Sequence, residues 1–186
     1  MDHAVIRRRM LDRRRALSVE AVAQASALAV ERVRSLSGYT DAALVASYMS
    51  QDGEIDPAEL LQGKSPEVAL PITRAEEPLR FVVPDGPLEI GPFGIREPTT
   101  GRVVQPTELE VVLVPLVAVD WSGNRLGHGA GYYDRTFGPG AFAGSALMGV
   151  GFDWQLVDRV PKGPTDRGMD FILTERGVLR VRNARE

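Results

Sequence analysis

Along the chain the spacing of apolar positions changes several times, and each change predicts an element. In residues 4–17, AVIRRRMLDRRRAL, Ile6, Met10 and Leu17 recur at roughly helical intervals, with Arg7, Leu11 and Arg14 on an adjoining stripe. That spacing predicts a short basic helix. A second helix is predicted from VEAVAQASALAVERVRSL, where Ser18 can cap the start and Val22, Ala25, Ala29, Val33 and Leu36 recur at three- and four-residue steps before Gly38 ends it. The pattern then shortens to apolar runs. ALVASYM (43–49) and EVALPI (67–72) predict buried strands, and DPAELL between them predicts a helix with Asp56 as cap, Pro57 in the first turn and Glu59 closing a capping box.

Residues 73–106 are rich in Pro and Gly and predict one strand, LRFVV, followed by the loop EIGPFGIREPTTG, a connection that shapes a site. VVLVPLVAVD (111–120) is nearly all apolar and β-branched, which predicts a single strand covered on both faces. After a glycine-rich stretch, YYDRTF predicts a short helix, ALMGVGF a strand, WQLVDRV a helical turn and DFILT a closing strand. The repeated alternation predicts a single three-layer α/β domain over residues 1–186, with a mostly parallel or mixed twisted sheet flanked by helices and a flexible tail at 183–186.

Composition narrows the class. With 186 residues, 44% hydrophobic and 25% charged, the chain matches a globular domain able to bury a core. No apolar run approaches membrane-spanning length, and MDHAVIRRRMLDRRR carries arginines where a signal peptide needs its apolar segment, so a cytoplasmic protein without a membrane partner is expected. The absence of Cys excludes disulfides, thiolate nucleophiles and cysteine-ligated metals. With His3 and His128 the only histidines, a metal site would rest on oxygen ligands and favour magnesium or calcium. The net charge of -3 averages a basic N-terminal arm with later acidic stretches and says little about partners.

In parallel sheets, ligands gather beyond the carboxyl ends of the strands. Glu54 follows the strand ending near Met49, Asp120 and GNRLGHGAGYYDR (123–135) follow the strand at 111–120, and Asp166 precedes DFILT. Gly127, Gly129 and Gly131 spell GxGxG, yet Tyr132 stands where a dinucleotide fingerprint needs glycine, and no GK[ST] of a P-loop follows. A tight turn also needs such glycines. What surrounds them adds chemistry: amides of a glycine loop running into a helix can cradle phosphate oxygens, Arg125 adds a permanent cation, and Asp134 is positioned to hold magnesium against the same phosphates. Together these parts describe a nucleoside triphosphate site.

The run VPLVAVDWSGNRLGHGAGYYDR resembles the signature of the 5-formyltetrahydrofolate cyclo-ligases, also called methenyltetrahydrofolate synthetases. The resemblance extends over nearly the whole chain, through RRRALS, YMSQDGEID, PFGIREP and VPKGPTDRGMDFILTE. It implies ring closure of 5-formyltetrahydrofolate to 5,10-methenyltetrahydrofolate, driven by ATP and magnesium through phosphorylation of the formyl oxygen, with release of ADP and phosphate. It further implies that His3 and Arg7 join Arg125, Leu126, Gly127, His128, Gly129, Ala130, Gly131, Tyr132 and Tyr133 around ATP. Asp134 and Asp166 are the implied magnesium ligands, and Arg125 and Tyr132 the implied catalytic pair. Met49, Glu54 and Phe93, with His128 and Tyr132, are implied to line the folate pocket. The implied partners are small molecules rather than nucleic acid, with a monomer or weak homodimer as the assembly.

The chain departs from the family pattern where His3 stands for a common lysine and where His128 and Ala130 replace frequent basic residues, with Arg8 or Arg9 as possible compensation. Two other readings compete. One is a non-catalytic nucleic-acid binding homologue using Arg7, Arg8, Arg9, Arg13, Arg14 and Arg15, which the carboxylates of Glu54, Asp134 and Asp166 oppose. The other is an ATP-dependent enzyme of the same fold acting on another pterin or amide. Plainer roles are also open: the arginine run as a solvated helix face, His128 as a solvent-facing loop residue, Asp166 as a turn aspartate, and Phe93 and Tyr132 as core.

Overall fold

A computed structural model describes residues 2–63, 65–138 and 144–181, so the tail expected at 183–186 lies outside the described residues. Two capped helices open the chain. Asp2 Oδ1 accepts from the Ala4 N–H ahead of α1 (His3–Arg15), and Ser18 Oγ accepts from the Ala21 N–H ahead of α2 (Val19–Ser35), each satisfying an amide the helix start leaves unpaired. A single turn, α3 (Ser37–Thr40), follows. The remaining elements are β1 (Leu44–Ala46), β2 (Glu67–Ile72), β3 (Arg80–Pro84), β4 (Leu88–Ile90), β5 (Arg96–Pro98), β6 (Gly101–Val104), β7 (Val111–Pro115), β8 (Ala118–Asp120), β9 (Arg125–Leu126), α4 (Tyr132–Phe137), β10 (Ala146–Val150), β11 (Leu156–Val157), β12 (Phe171–Leu173) and β13 (Val178–Arg180).

Among the described residues the main sheet runs β13-β12-β10-β7-β1-β2-β3-β6. Its centre is parallel, from β12 through β10, β7 and β1 to β2, while β13 on one side and β3 and β6 on the other are antiparallel. The fold is therefore α/β with a large mixed sheet flanked by helices, as the alternation predicted. Successive residues of the central strands bury on opposite faces. Val45, Val111, Leu113, Met148 and Val150 pack with Ala25, Ala29, Val30 and Val33 of α2, whereas Leu44, Ala46, Val112, Val114 and Leu147 pack with Phe81, Ile172 and Phe137 of α4. A third cluster seats α1 through Ile6 and Met10 on Val117, Ala118 and Leu126.

Several local expectations need correction. Residues 73–106 hold four strands, β3 to β6, with β4 and β5 paired inside the expected loop, and β13 follows DFILT, which is therefore not the closing strand. The run at 111–120 is two strands: β7 ends at Pro115, and the chain turns so that Val117 donates to Leu126 O and β8 joins β9 and β11 in a separate small sheet. Proline supplies no N–H for a continuing ladder, which suits a strand end. The predicted helix at DPAELL is a 3-10 turn, Ala58–Gln62. Asp56 Oδ1 accepts from the Ala58 N–H, while the Asp56 N–H donates to Ser26 Oγ at 2.8 Å and Glu59 pairs with Arg34 at 2.8 Å, so partners on α2 take both groups of the bond expected between the Glu59 side chain and the Asp56 N–H. WQLVDRV is only partly helical: a 3-10 turn, Asp153–Gln155, leads directly into β11. No helix among the described residues is long and apolar enough to cross a membrane.

Candidate active site

Beyond the carboxyl ends of β1, β2 and β7 lies a cleft of about 740 Å³. Met49 and Glu54 reach it from the segment after β1, Phe93 from the β4–β5 hairpin, Arg125 to Asp134 from β9, the glycine run and the start of α4, and Asp166 from the loop before β12. His3 and Arg7 of α1 close the remaining wall. Every residue expected around ATP, magnesium or folate thus lines one cavity. Arg8 and Arg9 do not: both are exposed and neither lines the cleft.

The glycine run is held open toward this cavity. Arg7 Nε donates to Gly127 O at 3.0 Å, fixing the loop to α1. Gly129 has φ +106°, and the position of an added Cβ would lie 3.5 Å from Arg7 Nη2, so the guanidinium passes alongside bare backbone. Gly131, with φ +70°, ends the run in the left-handed region immediately before α4. Among the described residues no hydrogen bond uses the main-chain N–H of Gly127 through Gly131, which leaves a row of donors beside two guanidinium groups. Such a row suits phosphate oxygens. Arg125 is nearly buried, donates Nη2 to Asp134 Oδ1 at 2.9 Å, and has a buried Nε with no partner among the described residues.

Asp134 Oδ1 also accepts from the Arg167 N–H at 3.1 Å, and Asp166 Oδ2 accepts from the Gly163 N–H at 2.7 Å. Asp166 is therefore a turn aspartate as well as a cleft residue. Each carboxylate keeps one oxygen, Oδ2 of Asp134 and Oδ1 of Asp166, without a partner among the described residues. Among those residues no group of three His, Cys, Asp or Glu side chains is poised for a metal. Two acids with free oxygens beside that row of donors fit magnesium, which takes one or two carboxylates together with other oxygen ligands and waters.

Glu54 is only 6% exposed. Its Oε1 lies 3.4 Å from Arg14 Nη1 and 3.1 Å from His128 Nε2, and Oε2 accepts from the Gln51 N–H at 3.2 Å. His128 is thus a solvent-exposed loop residue, as its plainer reading had it, whose side chain is 40% exposed and still reaches Glu54. Phe93 is 47% exposed and meets Tyr132 edge-on with ring centroids 6.1 Å apart, so it belongs to the cleft rim, not the core. Tyr48 donates its hydroxyl to Ile55 O at 2.6 Å. Burial, and next the negative charge of Glu54, push the phenols of Tyr48 and Tyr133 upward, so both remain protonated well above neutral pH.

Arg14 was hidden in the arginine run, and it is among the largest fully buried side chains. Its only signal was its place on the Arg7 and Leu11 stripe. The run is divided: Arg8, Arg9, Arg13 and Arg15 are exposed, as on a solvated face, with Arg13 4.5 Å over the Trp154 ring and Arg15 beside Asp12, whereas Arg7 is half-buried and Arg14 is fully buried.

Residues 1–175 match the model of the 5-formyltetrahydrofolate cyclo-ligase family. A 5-formyltetrahydrofolate cyclo-ligase of Mycolicibacterium smegmatis is 36% identical over 189 residues, covering 95% of this chain and 96% of its own. One from Escherichia coli is 33% identical over 173 residues, covering 87% and 94%. Among solved structures, 5,10-methenyltetrahydrofolate synthetase of Aquifex aeolicus superposes with a TM-score of 0.86 at 31% identity, covering 100% of this chain and 96% of its own.

Proposed function

Because this chain belongs to the 5-formyltetrahydrofolate cyclo-ligase family, we propose that its cleft closes 5-formyltetrahydrofolate to 5,10-methenyltetrahydrofolate at the expense of ATP, with residues 1–186 acting as one catalytic unit in the cytoplasm. One observation carries the proposal. The glycine run with Arg7 and Arg125, the carboxylates of Asp134 and Asp166, and the folate-side residues Met49, Glu54 and Phe93 all face one cavity of about 740 Å³. A phosphate donor and its acceptor can therefore meet there.

The reaction needs positioning more than covalent help. A formyl oxygen on nitrogen leaves poorly, so it first attacks the γ-phosphorus of ATP, displacing ADP and becoming an imidate-like phosphate ester. The neighbouring folate nitrogen then attacks the activated carbon and gives up its proton, and phosphate departs as the methenyl ring closes. No protein nucleophile is required, in keeping with a chain that has no cysteine.

The main-chain donors from Gly127 to Gly131 and the Arg125 and Arg7 guanidinium groups neutralise the phosphoryl oxygens. Magnesium, bound through Asp134 and Asp166, would supply further charge neutralisation on the phosphates. Tyr132, against Phe93 on one side and the Arg135 guanidinium at 5.0 Å on the other, separates the two substrates and orients the formyl group. Glu54 accepts hydrogen bonds from the polar pterin edge. His3 Nε2 lies 2.8 Å from Pro161 O, a carbonyl that can only accept, so Nε2 carries a proton and the ring is held at the cleft wall beside ATP.

Formation of methenyl product, followed by its absorbance, tests the proposal. Turnover of 5-formyltetrahydrofolate that requires both ATP and magnesium is expected. Turnover confined to another pterin or amide would overturn the substrate, and turnover without ATP would overturn the phosphorylation step.

A further inference from the structure

Helix α1 touches the cleft at two points seven residues apart. Arg7 Nε donates to Gly127 O at 3.0 Å, while Arg14 Nε donates to Asp52 O at 3.0 Å and its Nη1 to Glu54 Oε1 at 3.4 Å. Seven residues make nearly two turns, so both guanidinium groups leave one helix face about 10 Å apart along the axis. The helix thereby spaces the glycine run from the segment carrying Glu54.

Burial makes the Arg14 contact informative. Arg14 is 2% exposed and Glu54 6%. A guanidinium cannot shed its charge, so it persists in such a place only when its donors are used. The fork spends them on Asp52 O, on Glu54, and toward His128 Nε2 at 3.1 Å. His128 Nε2 lies equally 3.1 Å from Glu54 Oε1. One ring nitrogen either donates or accepts, so it bonds the carboxylate in one tautomer and Arg14 in the other. In both states the glycine run is tied to the same ion pair.

We infer that Arg14 is a positioning residue for folate recognition: its fixed fork holds Glu54 Oε1 so that the carboxylate meets the pterin edge in one orientation, in register with the glycine run through His128. The inference rests on the proposed folate role of Glu54. Arg14 does not line the cleft and acts on folate through Glu54.

The test measures KM for 5-formyltetrahydrofolate and for ATP separately in the wild type, Arg14→Met, Glu54→Gln and the double variant. Methionine keeps much of the stem volume and removes the fork. Arg14→Met should raise the folate KM about ten-fold and the ATP KM less than about two-fold, since losing a hydrogen bond to a charged group is worth roughly one decade. In the Glu54→Gln background the same change should alter the folate KM less than about two-fold, because coupled residues do not add. Arg14→Lys, which keeps the charge without the fork, should fall between wild type and Arg14→Met, and it carries the same comparison if Arg14→Met does not fold by circular dichroism.

Equal rises in both KM values, or effects that multiply in the double variant, would overturn the inference. If Glu54→Gln raises the folate KM and neither Arg14 variant does, the inference fails alone. If Glu54→Gln leaves the folate KM unchanged, the folate role of Glu54 fails and the inference with it.

Discussion

Replacing Asp134 by asparagine separates two duties of one carboxylate. The side chain keeps its shape, and its amide oxygen can still accept from Arg125 Nη2 and the Arg167 N–H, now at 2.9 and 3.1 Å. What disappears is one negative charge facing a guanidinium whose side chain is only 8% exposed. A hydrogen bond between charged partners is worth about 1.5–3 kcal/mol and a neutral one about 0.5–1.5. The variant should therefore lose about 1–2 kcal/mol, short of the cost of deleting a buried partner outright because Asp134 is 21% exposed. For a chain of this size that lowers Tm by about 2–8 °C, measurable by differential scanning calorimetry.

Turnover should fall far more. Loss of a metal-holding oxygen costs at least the roughly 10–100-fold that altering an outer partner of a metal costs. The magnesium concentration for half-maximal methenyl formation should rise with it. An unchanged magnesium midpoint and unchanged turnover would remove Asp134 from the metal site, and an unchanged Tm would refute the ion-pair arithmetic. Each result stands without the other.

Other perturbations follow from the same structure. Gly123 has φ +78°, and an added Cβ would stand 2.5 Å from Met169 O, so Gly123→Ala should cost about 1–3 kcal/mol and a clear drop in Tm, while Gly177→Ala, with open space around it, should not. His3→Lys should lower the ATP KM about two- to five-fold by adding a permanent charge near the phosphates, and a rise would mean that the imidazole already fits its role. For Tyr48 and Tyr133, burial and Glu54 raise the folded phenol values above the unfolded value of about 10, so their stabilisation is complete below about pH 10 and is lost as pH climbs beyond it. Urea unfolding should show stability falling above that pH by up to about 1.4 kcal/mol per unit for each tyrosine, with a shallower fall in Tyr133→Phe. An identical slope in that variant would refute the assignment.

What the sequence made legible was the part written locally. The helix pattern around Ala25, Ala29 and Val33 and the β-branched run beginning at Val111 each imply their own burial, and the glycines at 127, 129 and 131 announce backbone that must approach something closely. The parts decided by distant partners were hidden. Ser26 and Arg34 on α2 dissolve the capping box at Asp56 and Glu59, and the turn of Val117 toward Leu126 divides a run that reads as one strand. Arg14 looks like its neighbours in a charged run and differs only because Asp52, Glu54 and His128 close around it. Phe93 and Asp166 were recognisable from family motifs, yet the exposure of Phe93 on the cleft rim and the turn bond of Asp166 to Gly163 come from geometry alone.

Where a nucleotide sits decides the proposed function. A crystal structure with magnesium and a non-hydrolysable ATP analogue should find the phosphates against the amides of Gly127 to Gly131, contacted by Arg7 and Arg125, with the metal on Asp134 and Asp166. A second hollow of about 600 Å³ lies between α1, α2 and the Asp52–Asp56 segment. Phosphates in that hollow, or a metal that touches neither acid, would contradict it.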